Sequence, residues 1–280
     1  MQFILIGVVS FASAPKAKAF EYPLRSVINF SQEKISDFKE KKKQKDSAVP
    51  EIKEKDQAES SVKPQVEKPA KNENKKEKLS APKVVDDPKE IERAVEFASQ
   101  KTGVRKDFLM GMLVVESNLG RNPGSCTYDE VERGAQQSYE NGNLSSTAWE
   151  TFQDRREKVQ HVAKDLGYDY KQLKVSCNPS GYAGTGGAMG IPQFMPDTWI
   201  AYKDEIGGIV GKRNPDPWNI KDGVVAMALL LADTPGVTEH NLFAERNAAK
   251  MYLSGTTSWR YDWYANQILY WAANYRQLLG

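Results

Sequence analysis

The sequence is poor in the residues that usually bind metal ions. Its 280 residues include two histidines and two cysteines, and these do not form the close pairs that a zinc site requires. We therefore expect no metal ion and no cofactor. Charge of neither sign dominates, because 39 basic and 37 acidic residues leave a formal net charge of +2. This balance argues against nucleic acid as a partner.

Two residue types are missing from the N-terminal part of the chain. Glycine is absent from residues 8 to 102, and tryptophan is absent from residues 1 to 148. Lys, Glu, Asp, Ser, Gln and Pro dominate residues 31 to 83, which bury too little apolar surface to offset their chain entropy. The composition predicts a disordered charged linker over residues 20–85 and a folded domain over residues 86–280.

Long hydrophobic runs are also missing, since a membrane-spanning helix needs roughly 20 apolar residues. The apolar run from Phe3 to Ala14 is shorter, and the small residues Ala17 and Ala19 follow it at a typical signal-peptidase site. We predict a signal peptide over residues 1–19 and export to the periplasm or the cell exterior, in association with the cell wall. The alternative is an uncleaved, buried strand or helix.

Strand-like alternation is nearly absent, and the apolar residues recur with helical spacing. Asp87 and Pro88 are typical of a helix start, and Gly103 is typical of a helix end. The fold class that follows is all-α, or α+β at most. Further helices are predicted at residues 106–117, 147–166, 192–202, 221–233, 239–253 and 262–279.

One predicted helix places a carboxyl group on an apolar face. Met112 and Leu113 precede Glu116 by four and three residues, so the three side chains share one side of the helix. Desolvation disfavours the ionised form of a carboxyl group, which is what a general acid needs near neutral pH. The alternative is a glutamate that turns to water or caps a neighbouring element.

A glycine-rich segment follows later in the chain, with four glycines in the seven residues from Gly184 to Gly190. Glycine lets the backbone approach a ligand closely. Pro192 is predicted to open a helix whose first turn carries Gln193, and this amide can both donate to and accept from a sugar. The segment does not match phosphate-binding patterns. An ordinary glycine-rich connection is the alternative.

Together these segments resemble the lytic transglycosylases of the goose-lysozyme-like superfamily, particularly the membrane-bound lytic transglycosylase B type. The resemblance covers roughly residues 87–279. It rests on Glu116-Ser117 after an apolar helix, on GAMGIPQFMP from Gly187 to Pro196, and on DPWN from Asp216 to Asn219 followed by Asp222.

The resemblance implies a lysozyme-like helical domain with a groove for glycan strands of peptidoglycan. It implies cleavage of the bond between N-acetylmuramic acid and N-acetylglucosamine, with 1,6-anhydromuramoyl products and Glu116 as catalytic acid and then base. The family's Tyr-Asn-Ala-Gly turn corresponds to Tyr252-Leu253-Ser254-Gly255, which keeps only the tyrosine and the glycine. The implied substrate-binding residues are Ser117, Gly187, Ala188, Met189, Gln193 and Tyr252.

Two other functions stay open. A muramidase of the same fold would use water and a second carboxylate, for which Asp129, Glu130 and Asp197 are candidates, although each is more typical of a helix start or the surface. A wall-binding or assembly module would be catalytically silent. We expect a monomer in every case.

The cysteines and the C-terminal tryptophans complete the sequence-based expectations. Cys126 and Cys177 are an even pair in a chain predicted to be exported, so we expect a disulfide between them. Trp259, Trp263 and Trp271 raise the idea of sugar stacking. Their position on a long predicted helix favours core packing for most of them.

Overall fold

The structure is a computed structural model that describes residues 87–179 and 184–279. The predicted signal peptide (1–19) and charged linker (20–85) lie outside these residues. No helix within the two described ranges is long and apolar enough to cross a membrane. The described helices are α1 (Pro88–Thr102), α2 (Lys106–Ser117), α3 (Tyr128–Glu140), α4 (Ser146–Leu166), α5 (Pro196–Val210), α6 (Ile220–Ala232), α7 (Leu242–Ser254) and α8 (Asp262–Asn274).

The mainly helical prediction is confirmed, and local capping explains most of the helix boundaries. The Asp87 side chain accepts a hydrogen bond from the backbone N–H of Lys89, and Gly103 closes α1 with a left-handed φ of 79°. Ser145, Asn219 and Asn241 cap the first turns of α4, α6 and α7 in the same way. Short polar side chains therefore fix where the helices begin.

Some predicted boundaries were wrong. The helix expected from residue 192 begins at Pro196, because residues 190–193 form a tight turn before it. The helix α3 was not predicted, although Thr127 and Glu130 form a capping box at its start. The last helix ends at Asn274, and the 3₁₀-helix Tyr275–Leu278 follows it.

A small antiparallel sheet joins the two ends of the α3–α4 region. Strand β1 (Cys126–Thr127) pairs with β2 (Lys174–Val175), with Cys126 opposite Val175. Beside the sheet, Cys126 and Cys177 form the predicted disulfide, with their Cα atoms 5.1 Å apart. The bond closes a loop across 51 positions, which stabilises the fold by about 4 kcal/mol in the chain-entropy model.

The core is centred on two apolar helices. The α2 residues from Phe108 to Leu113 are buried, as are the α6 residues from Ile220 to Ala228 apart from half-buried Lys221. Helix α2 lies directly against α8 at Gly111, where a β-carbon would be 2.4 Å from the carbonyl oxygen of Ile268 and 2.8 Å from the backbone nitrogen of Ala272. This position therefore admits glycine alone without a shift of one helix.

We predict that Gly111→Ala lowers the free energy of unfolding by about 2 kcal/mol, because the added methyl group forces α2 and α8 apart. The matched control is Gly208→Ala in α5, where a β-carbon meets nothing within 4 Å. There the change should stabilise the protein by up to about 1 kcal/mol through helix propensity. Urea unfolding of the three proteins gives the comparison, and equal stabilities would contradict the close packing described here.

Candidate active site

Glu116 lies in the last turn of α2, and its side chain is buried with 9% exposure. The hydroxyl of Tyr264, in the first turn of α8, donates a hydrogen bond to Oε1 of this carboxylate. Tyr264 is fully buried. The contact of α2 with α8 at Gly111 brings the two residues together across 148 positions of sequence.

The chain reverses direction immediately after Glu116. Asn118, Leu119 and Gly120 all adopt left-handed backbone conformations, with φ of 49°, 58° and 80°. Such a conformation is costly for leucine, and burial of the Leu119 side chain in the core offsets that cost. The Ser117 hydroxyl donates to the Leu113 carbonyl oxygen at 3.4 Å and accepts from the Gly120 N–H at 3.0 Å. Ser117 is buried, so its hydroxyl shapes this turn.

Gln193 connects the glycine-rich segment to Pro123, which follows that turn. Its Nε2 donates to the carbonyl oxygens of Pro123, at 2.9 Å, and of Gly190, at 2.6 Å. Its φ is 51°, so this residue belongs to a turn and not to the first turn of a helix as the sequence predicted. With the amide donors used on the backbone, the amide oxygen is the atom of this group that can bind a ligand.

The glycines of this segment allow its main chain to lie directly against the main chain of other segments. A β-carbon on Gly186 would be 2.2 Å from the carbonyl oxygen of Ser176, and one on Gly190 would be 2.0 Å from that of Pro217. Gly187 lies between them with a φ of 99°. The close approach that these residues permit is therefore to the protein itself.

Two further predicted binding residues lie inside the protein. Ala188 is 2% exposed and Met189 is fully buried. Met189 forms backbone bridges with Val175 and Phe194, which add the segment to the edge of the small sheet. Their role in binding stays a prediction, and their burial leaves little side-chain surface for direct contact with a ligand.

Tyr252 on α7 contacts the same segment. Its hydroxyl donates to the carbonyl oxygen of Pro192, and its ring lies 5.7 Å from that of Phe194. Tyr252 therefore holds the turn that carries Gln193, while Tyr264 contacts the candidate acid. Sequence patterns did not predict the role of Tyr264, because the motif comparison pointed to Tyr252 and the Glu116 contact depends on tertiary packing.

The DPWN motif supports the glycine-rich segment from the other side. The Ile191 N–H donates to the Pro217 carbonyl oxygen at 3.1 Å. The Asp216 carboxylate accepts from Tyr168 at 2.8 Å and from the Trp218 N–H at 2.9 Å. Burial raises the pKa of Asp216 above its ordinary value. The motif thus has a structural role in this fold.

The three acids considered as a second carboxylate have other partners. Asp129 pairs with Arg133 at 3.2 Å and with Lys171 at 3.3 Å, and Glu130 closes the capping box of α3. Asp197 accepts from Arg155 Nε and Lys158 Nζ, each at 2.7 Å.

Most of the three C-terminal tryptophans were predicted to pack in the core, but two of the three are exposed. Trp259 is 76% exposed and Trp263 is 53% exposed, whereas Trp271 is partly buried. The prediction failed for Trp259 because this residue lies before α8, in the 3₁₀-helix Trp259–Tyr261. It failed for Trp263 because residues 262–274 are apolar on several sides of the helix, so the pattern does not define the buried face. The Trp263 ring lies 5.8 Å from that of Tyr264 in an edge-to-face arrangement.

No group of three metal-binding side chains occurs in residues 87–179 and 184–279. This observation concerns protein ligands in the described part of the chain only. The chemistry that the arrangement offers is that of a single buried carboxyl group held by a tyrosine hydroxyl.

Comparison with known proteins identifies the sequence family of this chain. A family model described as "Transglycosylase SLT domain" matches residues 28–245. The match ends within α7, so Tyr252, Tyr264 and both exposed tryptophans lie beyond it. No curated protein matches the sequence.

Solved structures also show similarity. The soluble lytic transglycosylase SltB1 from Pseudomonas aeruginosa shares 24% identity over 55% of this chain and 50% of its own, with a TM-score of 0.38. The Escherichia coli lytic transglycosylase SLT35 in complex with bulgecin A shares 23% identity over 53% of this chain and 45% of its own, with a TM-score of 0.35. The chain thus matches about half the length of each structure.

The Asp197 contacts lead to a stability prediction. Burial alone would raise the pKa of Asp197, but hydrogen bonds from Lys158 and Arg155 outweigh it and hold the pKa below its ordinary value. Asp197→Asn should lower the free energy of unfolding by about 3 kcal/mol at neutral pH, because Arg155 is buried and loses its counter-charge.

This stabilising contribution is present above the ordinary pKa of aspartate, about 3.9, and is lost as the pH falls below it. The difference between the wild type and Asp197→Asn should therefore shrink below about pH 4. The control is Asp154→Asn, since Asp154 also contacts Lys158 but is half exposed, and about 0.5 kcal/mol or less is expected there. A loss of activity in a folded Asp197→Asn protein would instead indicate a chemical role.

Proposed function

Because the chain belongs to the transglycosylase SLT domain family, we propose that it cleaves the glycan strands of peptidoglycan. The proposed bond joins N-acetylmuramic acid to N-acetylglucosamine, and the proposed product carries a 1,6-anhydromuramoyl end. The observation that carries this proposal is the buried carboxyl group of Glu116, held by Tyr264 at the end of α2.

Glu116 acts first as the general acid. In its protonated form, this carboxyl group can give a proton to a glycosidic oxygen. The apolar residues of α2 that precede the acid, from Phe108 to Leu113, are buried up to one turn before Glu116. As the bond between the anomeric carbon and the leaving oxygen breaks, positive charge develops on the anomeric carbon.

Glu116 then acts as the base. The resulting carboxylate removes the proton of the muramoyl C6 hydroxyl, and this oxygen forms a new bond to the same anomeric carbon. The leaving sugar keeps the proton that Glu116 gave, so Glu116 ends protonated and no water is consumed. A nucleophile on the substrate itself reacts with the advantage of proximity, which removes the need for a second enzyme carboxylate.

Tyr264 is a positioning residue for Glu116. Its hydroxyl donates to a carboxylate oxygen in a buried setting, where a hydrogen bond to a charged group is stronger than one between neutral groups. The bond fixes the orientation of the carboxyl group.

The engagement of Asp129, Glu130 and Asp197 supports the transglycosylase reaction over hydrolysis. Each of these carboxylates is bound to side-chain cations or to the start of a helix. A water-activating base would have to leave such a contact. This observation favours a one-carboxylate mechanism over the hydrolytic muramidase. The buried Glu116 with its Tyr264 contact argues against the silent wall-binding module.

We also propose that residues 1–19 direct export, that residues 20–85 form a charged linker, and that residues 86–280 form the catalytic domain. The mature protein would then work in the periplasm or outside the cell, in contact with the wall and without a membrane span. The Cys126–Cys177 disulfide supports this proposal, because such bonds persist in oxidising compartments.

The central test compares the whole chain with Glu116→Gln on purified peptidoglycan. The variant keeps the shape of the side chain but removes its acid, so the rate should fall by roughly 10²- to 10⁴-fold. Mass spectrometry of the wild-type products should show 1,6-anhydromuramoyl ends. Reducing muramoyl ends would establish hydrolysis instead, and no release by a folded wild-type protein would favour the binding module.

Tyr264→Phe should lower kcat on the order of tenfold or more with little change in KM, since a hydrogen bond to a charged group contributes about 1.5–3 kcal/mol. The matched control is Tyr275→Phe. Tyr275 is also buried where α2 meets the C-terminal region, but its hydroxyl donates to Asp107 at the opposite end of α2. Equal losses of kcat in both variants would mean that Tyr264 acts only through stability.

A further inference from the structure

Two of the six tryptophans are exposed, and both lie in the same short stretch of the chain. Trp259 is in the 3₁₀-helix Trp259–Tyr261, and Trp263 is in the first turn of α8. By contrast, Trp199 is fully buried and Trp218 is 4% exposed. Tryptophan is usually well buried, so two exposed indoles four residues apart differ from the remaining core.

Two successive side-chain contacts link this stretch to the candidate acid. The edge-to-face contact joins Trp263 to Tyr264, and the Tyr264 hydroxyl is bonded to Glu116. Trp263 thus lies at the surface, at the end of α8 from which the buried Tyr264 contacts the carboxyl group. Both tryptophans also lie outside the segment that the family model matches.

The opposite end of α8 contacts the far end of α2. Tyr275, just beyond α8, donates to Asp107 in the first turn of α2, so the two helices run antiparallel. Tyr270 is 56% exposed and lies seven residues after Trp263, or about 10 Å along the helix. An exposed aromatic residue near the acid and another remote from it therefore occur on one helix.

We propose that Trp263, together with Trp259, forms a stacking platform for pyranose rings of the glycan strand, next to the bond that is cleaved. The proposal rests on the proposed function. An indole offers a large, flat and rigid face at low cost in side-chain entropy, and the C–H faces of a pyranose ring are apolar enough to pack on it. The polar groups of the sugar meanwhile stay in water.

The consequence is a preference for longer strands. A sugar outside the two residues that flank the cleaved bond contributes to binding only if the protein contacts it, and this platform supplies such a contact. Binding energy from that sugar appears mainly in KM, because the contact is equally present before and during bond cleavage.

The experiment uses the whole chain and purified peptide-free glycan strands, with the shortest fragment that the enzyme cleaves as a second substrate. Trp263→Leu keeps apolar contact with Tyr264 but removes the flat aromatic face. It should raise KM for long strands on the order of tenfold, as expected for about 1.4 kcal/mol of lost binding. It should leave kcat and the reaction of the short fragment nearly unchanged.

Three further variants test whether the effect depends on the aromatic face and on its position. Trp263→Phe keeps an aromatic face and should restore most of the affinity, and Trp259→Leu should raise KM for long strands in the same direction. Tyr270→Leu, at an equally exposed position on the same helix, should leave KM at the wild-type value. The same KM in Trp263→Leu and Tyr270→Leu would overturn the platform, as would a loss limited to kcat.

A binding assay distinguishes failure of the proposed activity from failure of the stacking platform. Sedimentation of Glu116→Gln with long strands, beside Glu116→Gln/Trp263→Leu, measures binding without turnover. If the wild type releases no product, the proposed activity is wrong, and the sedimentation assay still tests the platform. Weaker binding of the double variant supports stacking, and equal binding of the two proteins rejects it whatever the reaction turns out to be.

Discussion

The direct contact between α2 and α8 at Gly111 positions the candidate acid and the residue that holds it. With no side chain at this position, the backbone of α2 lies against the carbonyl oxygen of Ile268 and the backbone of Ala272. At one end of this contact Tyr264 reaches Glu116, and at the other end Tyr275 reaches Asp107. The orientation of the carboxyl group is thus a result of how closely two backbones approach, some distance from the acid itself.

The second half of the site follows the same principle. Gly186 and Gly190 allow main-chain contact with Ser176 and Pro217, and Gln193 uses its amide donors on the backbone of two turns. Residues that look like ligand contacts in the sequence are therefore largely used to join segments of the protein. Rigid main-chain packing of this kind suits a site that must hold a substrate in one geometry.

Local features of the sequence were sufficient to predict several elements of the fold. The position of Glu116 on an apolar helix face follows from spacing of three and four residues, and Asp87 and Gly103 mark the ends of α1. The predicted helix start at Pro192 was wrong, since Pro192 and Pro196 both fit a first turn, and only the left-handed conformation of Gln193 decides between them. Strands of two residues are too short to produce an alternating pattern.

Other features depend on contacts that no local pattern encodes. Tyr264 meets Glu116 across most of the domain, so its neighbours in sequence contain no trace of the hydrogen bond. The exposure of Trp263 was missed because apolar residues occur on several sides of α8, and tertiary packing alone selects the buried side. In both cases the site depends on helix packing rather than on a motif.

The disulfide has a consequence for the resistance of the protein to proteolysis. Cys126 follows α2 and Cys177 precedes the glycine-rich segment, so the bond encloses α3 and α4 in a covalent ring. Exposed loops such as the one between these helices are the places where proteases cut most readily. A single cut within the ring leaves the two fragments joined, and the segments that carry Glu116 and Gln193 then remain parts of one molecule.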